Sequence, residues 1–154
     1  MRGRWNRWMG AVLTVIAAAC GGDDPGLTGP DPTIEPFVGT WDAEVFRVTS
    51  DANPTVVADL LIDGSFNINI QPSGLYTATL AFGDIIMALV EIGQLSVNGK
   101  FVTLRPNGPN PCPASSEFFF TGPDFLTLVG PTCFDFNLDG EAEDAELQQE
   151  WRRR

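Results

Sequence analysis

One stretch near the C-terminus, DFNLDGEAEDAE, carries side chains spaced for metal chemistry. Calcium loops place oxygen ligands at positions 1, 3 and 5, Gly at 6, a backbone carbonyl at 7 and Glu at 12. The stretch therefore predicts calcium ligands from Asp135, Asn137, Asp139, the carbonyl of Glu141, and Glu146. The alternative is the turn of an acidic hairpin, because Asp139-Gly140 is also a strong hairpin signal.

The segments on either side of this loop favour the hairpin. The preceding FLTLVGPTCF is rich in β-branched and aromatic residues, which indicates a strand and not an entering helix. The following segment, 145–154, has helical propensity but also suits a final strand, and the sequence leaves both open. Calcium is thus a secondary prediction, and a site of this extracellular type would be structural and weak, with Kd about 10⁻⁴–10⁻³ M.

The chain offers no other catalytic constellation. It contains no His, so it lacks the commonest general base and the commonest metal ligand. A hydrolase of the Ser–His or Cys–His kind is excluded within this chain. The acidic residues beyond Gly140 are typical of a solvated face, and no Gly-rich phosphate loop is present. We therefore predict that the protein is not an enzyme and needs no cofactor.

The N-terminus has the pattern of an export signal. Arg2, Arg4 and Arg7 precede an apolar stretch, 10–19, which is too short to span a hydrocarbon core of about 30 Å. Small residues then lead directly into Cys20. This segment resembles a bacterial lipoprotein signal peptide with its lipobox, which implies that residues 1–19 are removed and that Cys20 is diacylated and N-acylated. The alternative is an ordinary signal peptide with Cys20 as a plain thiol.

Residues 20–33 predict a flexible tether, because they are rich in Gly, Pro and Asp and show no periodicity. Several acyl chains on Cys20 would anchor the protein stably. Gly21 follows the cysteine where Asp would favour retention, and the resemblance to Gram-negative lipoproteins then implies the outer membrane. Without residues 1–19, six basic and twenty acidic side chains remain, a net charge of −14 that disfavours nucleic acid as a partner.

The predicted export also bears on the pairing of the cysteines. With Cys20 lipidated, Cys112 and Cys133 remain in an exported, oxidising compartment. We predict a disulfide between them, closing a loop of about 20 residues worth roughly 3 kcal/mol. Two free thiols are the alternative.

The remaining residues, 34–154, predict one all-β domain. Turn signals recur at short spacing, at Pro72-Ser73-Gly74, Asn98-Gly99, Gly122-Pro123-Asp124 and Asp139-Gly140. Alternating apolar residues lie between them, as in SFNINIQ, LYTATLAF and KFVTLR. In GTWDAEVFRV the alternation slips at Phe46, which predicts a bulge.

Consecutive hairpins of this kind favour a small antiparallel up-and-down barrel of about eight to nine strands, since closure removes the sheet edges. A two-sheet sandwich is the second choice. Two segments are ambiguous: 85–92 is apolar on both faces and predicts either a buried strand or a short helix, and 56–64 is equally open.

The order of several short motifs resembles lipocalin-like domains. FVGTW matches the G-x-W start of the first strand, SFNINIQPSGLYTATL the second hairpin, and GQLSV with FVTLRP a later one, although Leu95 stands where Trp is common. The resemblance implies a barrel that holds a small apolar molecule, with Trp41 closing one end. The inward candidates Phe66, Tyr76, Phe82, Leu104 and Phe120 are bulky, so a filled core is an equal alternative.

Together these features predict a membrane-anchored, exported, lipocalin-like lipoprotein that binds a small apolar ligand at the cell envelope. The competing hypothesis is an interaction or structural module of the envelope, with a filled core and no ligand.

Overall fold

The computed structural model describes residues 31–83, 87–108 and 112–154. The predicted signal peptide, Cys20 and most of the tether lie outside these residues, and Asp31–Thr33 form a hydrogen-bonded turn. A short 3₁₀ turn, Glu35–Phe37, leads into nine strands: β1 Gly39–Ser50, β2 Val57–Asp59, β3 Gly64–Ile70, β4 Leu75–Phe82, β5 Met87–Asn98, β6 Phe101–Pro106, β7 Ser115–Gly122, β8 Phe125–Phe134 and β9 Glu143–Arg153. No helix in this part of the chain is long and apolar enough to cross a bilayer.

The strands close into an antiparallel barrel. From β3 onward each strand pairs with the next, and β9 pairs with β1 from Trp41↔Arg153 to Ser50↔Ala145. β3 occupies the first half of the other edge of β1, and the short β2 occupies the second half. The result is an eight-stranded up-and-down barrel with β2 as an added strand. The predicted all-β barrel is confirmed, and the sandwich is not the fold.

The predicted turns and alternation are confirmed where they can be checked. The four turn signals join β3 to β4, β5 to β6, β7 to β8, and β8 to β9. Gly99 has φ 60°, a left-handed conformation that favours glycine at this hairpin. The β1–β9 register shifts between Ala43 and Val45, so the strand bulges just ahead of Phe46, where the alternation slips.

The ambiguous segments resolve through pairing. β9 is a strand because it lies between β8 and β1, and the paired backbone overrides the helical propensity of its residues. The described part of 85–92 is the first half of β5, but the expected burial is wrong there. Val90 is 63 % exposed and Ile92 48 %, because none of the described elements covers the outer face of the barrel at these positions. The segment 56–64 forms β2 and a turn into β3.

Candidate functional site

One end of the barrel is sealed by the residues that open β1. Trp41 is fully buried, and its Nε1 donates a hydrogen bond to the carbonyl of Phe37, 2.8 Å away. The 3₁₀ turn brings the Phe37 ring against Phe118 and Phe120, with centroids 5.0 and 5.2 Å apart. These rings form a closed apolar plug across this end of the barrel.

Arg153, at the end of β9, packs on Trp41 and binds the backbone of the segment that leads into β1. Its guanidinium lies 4.3 Å from the centroid of the Trp41 ring, a distance suited to a cation–π interaction. Nη1 donates to the carbonyl of Val38 and Nη2 to that of Pro36, both at 2.7 Å. The Trp41↔Arg153 register of β1 and β9 places the two side chains on the same face of the sheet. We call this end, with Phe37, Trp41 and Arg153, the closed end.

The other half of the barrel is hollow. A cavity of about 290 Å³ lies there, between inward-facing side chains of the strands. Its walls are mostly apolar and include Phe46, Phe66, Leu80, Val102, Leu104 and Leu128. Leu89 lines the cavity and is 58 % exposed, which marks the mouth. Of the predicted inward residues, Tyr76 and Phe120 therefore fill the core while Phe66 and Leu104 line open space.

Among the described residues of the cavity wall, four are polar: Glu91, Ser116, Thr132 and Gln149. Gln149 is only 4 % exposed, and its Oε1 has no hydrogen-bond partner in the part of the chain that the structure describes. Glu91 accepts a hydrogen bond from the Tyr76 hydroxyl at 2.6 Å. No basic residue is among the described lining residues, so the wall has no counter-charge for an anion.

Tyr76 lies in the core and contacts the cavity wall through its hydrogen bond to Glu91. It is 1 % exposed and pairs across the sheet with Gly93, where an added Cβ would fall 2.5 Å from the phenol oxygen. Gly93 thus leaves room for the ring to lie over the backbone. Burial, and then the hydrogen bond and charge of Glu91, hold the pKa of Tyr76 well above its usual range. The phenol therefore stays protonated and remains the donor to Glu91.

The disulfide predicted between Cys112 and Cys133 is present, with Cα atoms 5.2 Å apart. Its chain neighbours Pro113, Ala114 and Thr132 all line the cavity. The bond therefore ties the segment leading into β7 to the end of β8 at the cavity rim.

In the acidic loop, the side-chain oxygens of Asp135, Asn137 and Asp139 accept hydrogen bonds from backbone amides of the same loop. Asp135 accepts hydrogen bonds from the amides of Asp139 and Gly140 at 3.2 and 2.8 Å, and Asn137 Oδ1 accepts one from Asp139 at 2.9 Å. Asp139 in turn accepts from the Glu141 amide at 2.8 Å.

The fifth predicted calcium ligand lies in a different element. Glu146 belongs to β9, where it pairs with Thr49 and Pro131. Within the described ranges, no group of three or more His, Cys, Asp or Glu side chains is placed to hold a metal ion. The loop is the predicted acidic hairpin, and calcium binding by it stays a prediction.

Comparison with known proteins adds little to this geometry. No family model matches the chain, and no curated protein matches it. A crystal structure of a protein of unknown function from the DUF3598 family of Nostoc punctiforme is similar over 77 % of this chain, at 14 % identity and a TM-score of 0.39. The chain spans 48 % of that protein's length. The fold assignment rests on the strand pairing described above.

The sequence analysis did not identify the structural roles of three residues: Arg153, Gly93 and Gln149. Arg153 stands in a run of three arginines, and nothing in the run distinguishes the one that contacts Trp41. Gly93 opens the GQLSV motif, but nothing in that motif indicates that the Tyr76 ring lies against it. Gln149 alternates with Leu147 and Trp151, a period of two that would have placed it inside the barrel once the segment was assigned to a strand.

Proposed function

We propose that this protein is an exported, lipid-anchored barrel that binds a small, mostly apolar molecule at the cell envelope. The observation that carries the ligand part is the open cavity of about 290 Å³ opposite the closed end. Its size lies at the lower end of ligand sites, roughly 300–1,000 Å³. Since a liquid water occupies about 30 Å³, the cavity suits a molecule of about ten non-hydrogen atoms.

The distribution of the core supports this over a solid barrel. Large side chains crowd the closed end, whereas Ala78, Ala114 and Ser116 keep the other half open. Apolar walls favour an apolar guest, because burying its surface is worth about 25 cal/mol per Å². In the part of the chain that the structure describes, the cavity opens beside Leu89 and the far end of the barrel is sealed, an arrangement typical of a binding pocket and not of a channel.

Native mass spectrometry of the protein purified from its own membrane tests the ligand. We expect a bound small molecule on the wild type and its loss in Ala114→Trp, where the indole would obstruct the mouth. Ser96→Trp adds the same bulk at an exposed position of β5 and should retain the ligand. A wild-type protein that carries no small molecule and takes up none would refute ligand binding.

The lipid anchor has an independent test. Cys20 follows small residues at the end of an apolar stretch, the position that acylation requires in the resembling family. We expect Cys20→Ser to move the protein from the membrane fraction to the soluble fraction, and Gly22→Ser, two residues further on, to leave it on the membrane. Membrane association that survives Cys20→Ser would rule the anchor out.

A second candidate, an interaction module of the envelope, is favoured by one observation. Phe101 and Phe119, on the outer face of β6 and β7, are 42 % and 51 % exposed. Exposed aromatic residues are common in protein–protein interfaces. A stoichiometric protein partner co-purifying with a ligand-free barrel would favour this function.

A further inference from the structure

We infer that the open end of the barrel docks on the surface of a lipid bilayer and inserts aliphatic side chains among the headgroups. Docking of this kind goes beyond the proposed function, because it needs no ligand in the cavity. The side chains lie at the end opposite Trp41 and Arg153, and their exposure runs from 50 % at Val57 to 88 % at Leu138. We call five residues the open rim: Val57, Ile62, Leu89, Val90 and Leu138.

The directions of the strands place these residues at one end. Val57 opens β2, beside the last residues of β1, which runs away from the closed end. Ile62 lies in the turn that leads into β3, while Leu89 and Val90 belong to the start of β5, beside the end of β4. Leu138 lies in the loop between β8 and β9. Four separate parts of the chain thus place aliphatic side chains at the same end of the barrel.

This end also holds the entrance of the cavity. Leu89 belongs to both features, because it lines the cavity and is exposed at the mouth. A single exposed aliphatic side chain is ordinary on a protein surface, but several grouped at one place mark a contact with a partner or a membrane. A bilayer against the open rim meets the mouth directly, so an apolar molecule passes between the two without crossing water.

The chemistry of the open rim favours lipid over protein. Its members are Val, Ile and Leu, whereas protein interfaces are enriched in aromatic residues, Met and Arg. The exposed phenylalanines lie elsewhere, on the outer faces of the strands: Phe101, Phe119 and Phe125. A fluid lipid surface adapts to side chains that separate loops present, while a protein partner would have to match their spacing.

The charges at this end favour a zwitterionic lipid. Exposed carboxylates lie in the same loops as the open rim, at Asp51, Asp63, Asp139 and Glu141. They repel the headgroups of anionic lipids, whereas the ammonium groups of zwitterionic lipids can lie beside them. The expected partner is therefore the surface of a phosphatidylcholine- or phosphatidylethanolamine-type bilayer.

The tether is long enough for this orientation. The described chain begins at Asp31, and Ile34 packs beside the β3–β4 turn at the closed end. Ten residues, 21–30, separate Asp31 from the predicted anchor at Cys20, and the eleven steps between these two positions span at most about 36–40 Å. The eleven residues of β9 rise about 28 Å along a barrel whose strands tilt by about 40°. The tether therefore reaches past the barrel, and the open end can face the bilayer that holds the anchor.

Site-specific fluorescence tests the docking. In the full chain carrying Cys20→Ser, the two remaining cysteines form the disulfide, so one added cysteine can be labelled selectively with a nitrobenzoxadiazole fluorophore. Ala88→Cys places the label beside the open rim, and Ser73→Cys places it in the β3–β4 turn at the closed end; both positions are exposed.

The two labels are expected to respond differently to vesicles of pure phosphatidylcholine. The Ala88→Cys label should shift to the blue, brighten and be quenched by nitroxide groups on the lipid chains, while the Ser73→Cys label should keep its spectrum in water. Any contact of residues 1–30 with the vesicle would favour the label at the closed end, where that segment joins the barrel. Lipid contact at Ala88 alone is therefore diagnostic of the open rim.

Ile62→Ser combined with Leu138→Ser provides the decisive variant. It removes the two most exposed side chains of the open rim, and neither lines the cavity. The partition into vesicles that the Ala88→Cys label reports should weaken at least about tenfold, and the melting temperature should stay the same because both side chains are exposed. Phe119→Ser combined with Phe125→Ser removes two exposed apolar side chains outside the open rim and should leave the partition unchanged.

Several outcomes would overturn the docking. They are an Ala88→Cys label that stays in water beside phosphatidylcholine vesicles, equal quenching of the two labels, or an unchanged partition in the Ile62→Ser, Leu138→Ser variant. A blue shift that grows with protein concentration in the absence of vesicles would assign the open rim to contact between two copies of the chain. Stronger quenching of the Ala88→Cys label on equimolar phosphatidylcholine and phosphatidylglycerol would overturn the zwitterionic assignment. Native mass spectrometry measures ligand binding separately, so failure of the docking leaves the proposed ligand function standing.

Discussion

Trp41→Ala is expected to lower the free energy of unfolding by about 3–5 kcal/mol, the range for a large aromatic side chain lost from a core. Trp41 is fully buried, so the substitution leaves a cavity that neighbouring rings can fill only in part. It also removes the hydrogen bond to the Phe37 carbonyl and the ring beneath the Arg153 guanidinium. Both the 3₁₀ turn and the end of β9 thereby lose an attachment.

Urea denaturation followed by circular dichroism measures this loss. Phe119→Ala is the matched control, since it deletes an aromatic side chain that is 51 % exposed on the outer face of β7. That change should cost less than about 1 kcal/mol. A Trp41→Ala protein as stable as the control would mean that the closed end does not hold the barrel together.

The local pattern of the chain predicted consecutive antiparallel hairpins, from the alternation in β3 and β4 and the turn signals between strands. A barrel was the favoured prediction because closure removes the sheet edges, but it is the pairing of β1 with β9 that decides against the sandwich. The exposure of Val90 and Ile92 was not predictable in this way. A purely apolar stretch indicates burial, but whether a layer covers its outer face depends on the rest of the chain.

The interior could be predicted only in part, because it depends on register. An inward residue fills the core or lines the cavity according to its position along the barrel axis. The bulge before Phe46 shifts that position for the residues of β1. Gln149 illustrates the limit. Its alternation with Trp151 predicts that it points inward, but its apolar cross-strand neighbours, Phe46 and Leu128, are known only from the register.

The two halves of the barrel differ in how their interiors are packed. The closed end concentrates the aromatic contacts, the Arg153 hydrogen bonds and the fully buried Trp41. The hollow half contains the cavity in place of packed side chains. It also contains Gln149, whose Oε1 atom has no hydrogen-bond partner among the described residues. The Cys112–Cys133 bond lies at the rim of this half, next to lining residues Pro113, Ala114 and Thr132.

Replacing both Cys112 and Cys133 by Ser is accordingly expected to have two effects. The free energy of unfolding should fall by about 3 kcal/mol, because a cross-link spanning 21 positions restricts the unfolded chain. If the barrel binds small apolar molecules as proposed, the affinity for 1-octanol, an apolar probe of suitable size, should also fall, since Pro113, Ala114 and Thr132 would no longer be held in place around the cavity. Urea denaturation and isothermal titration measure the two effects on the same protein.

Leu126→Ala separates these effects. Leu126 is 1 % exposed in the core near Trp151, so its loss should cost about 2–5 kcal/mol while leaving the rim intact. At a temperature where both proteins are fully folded, only the double serine variant should bind octanol more weakly. If both variants keep wild-type affinity, the disulfide acts on the unfolded chain alone and the rim holds its shape through the strands; if both lose it equally, the cavity depends on overall stability and not on the bond at its mouth.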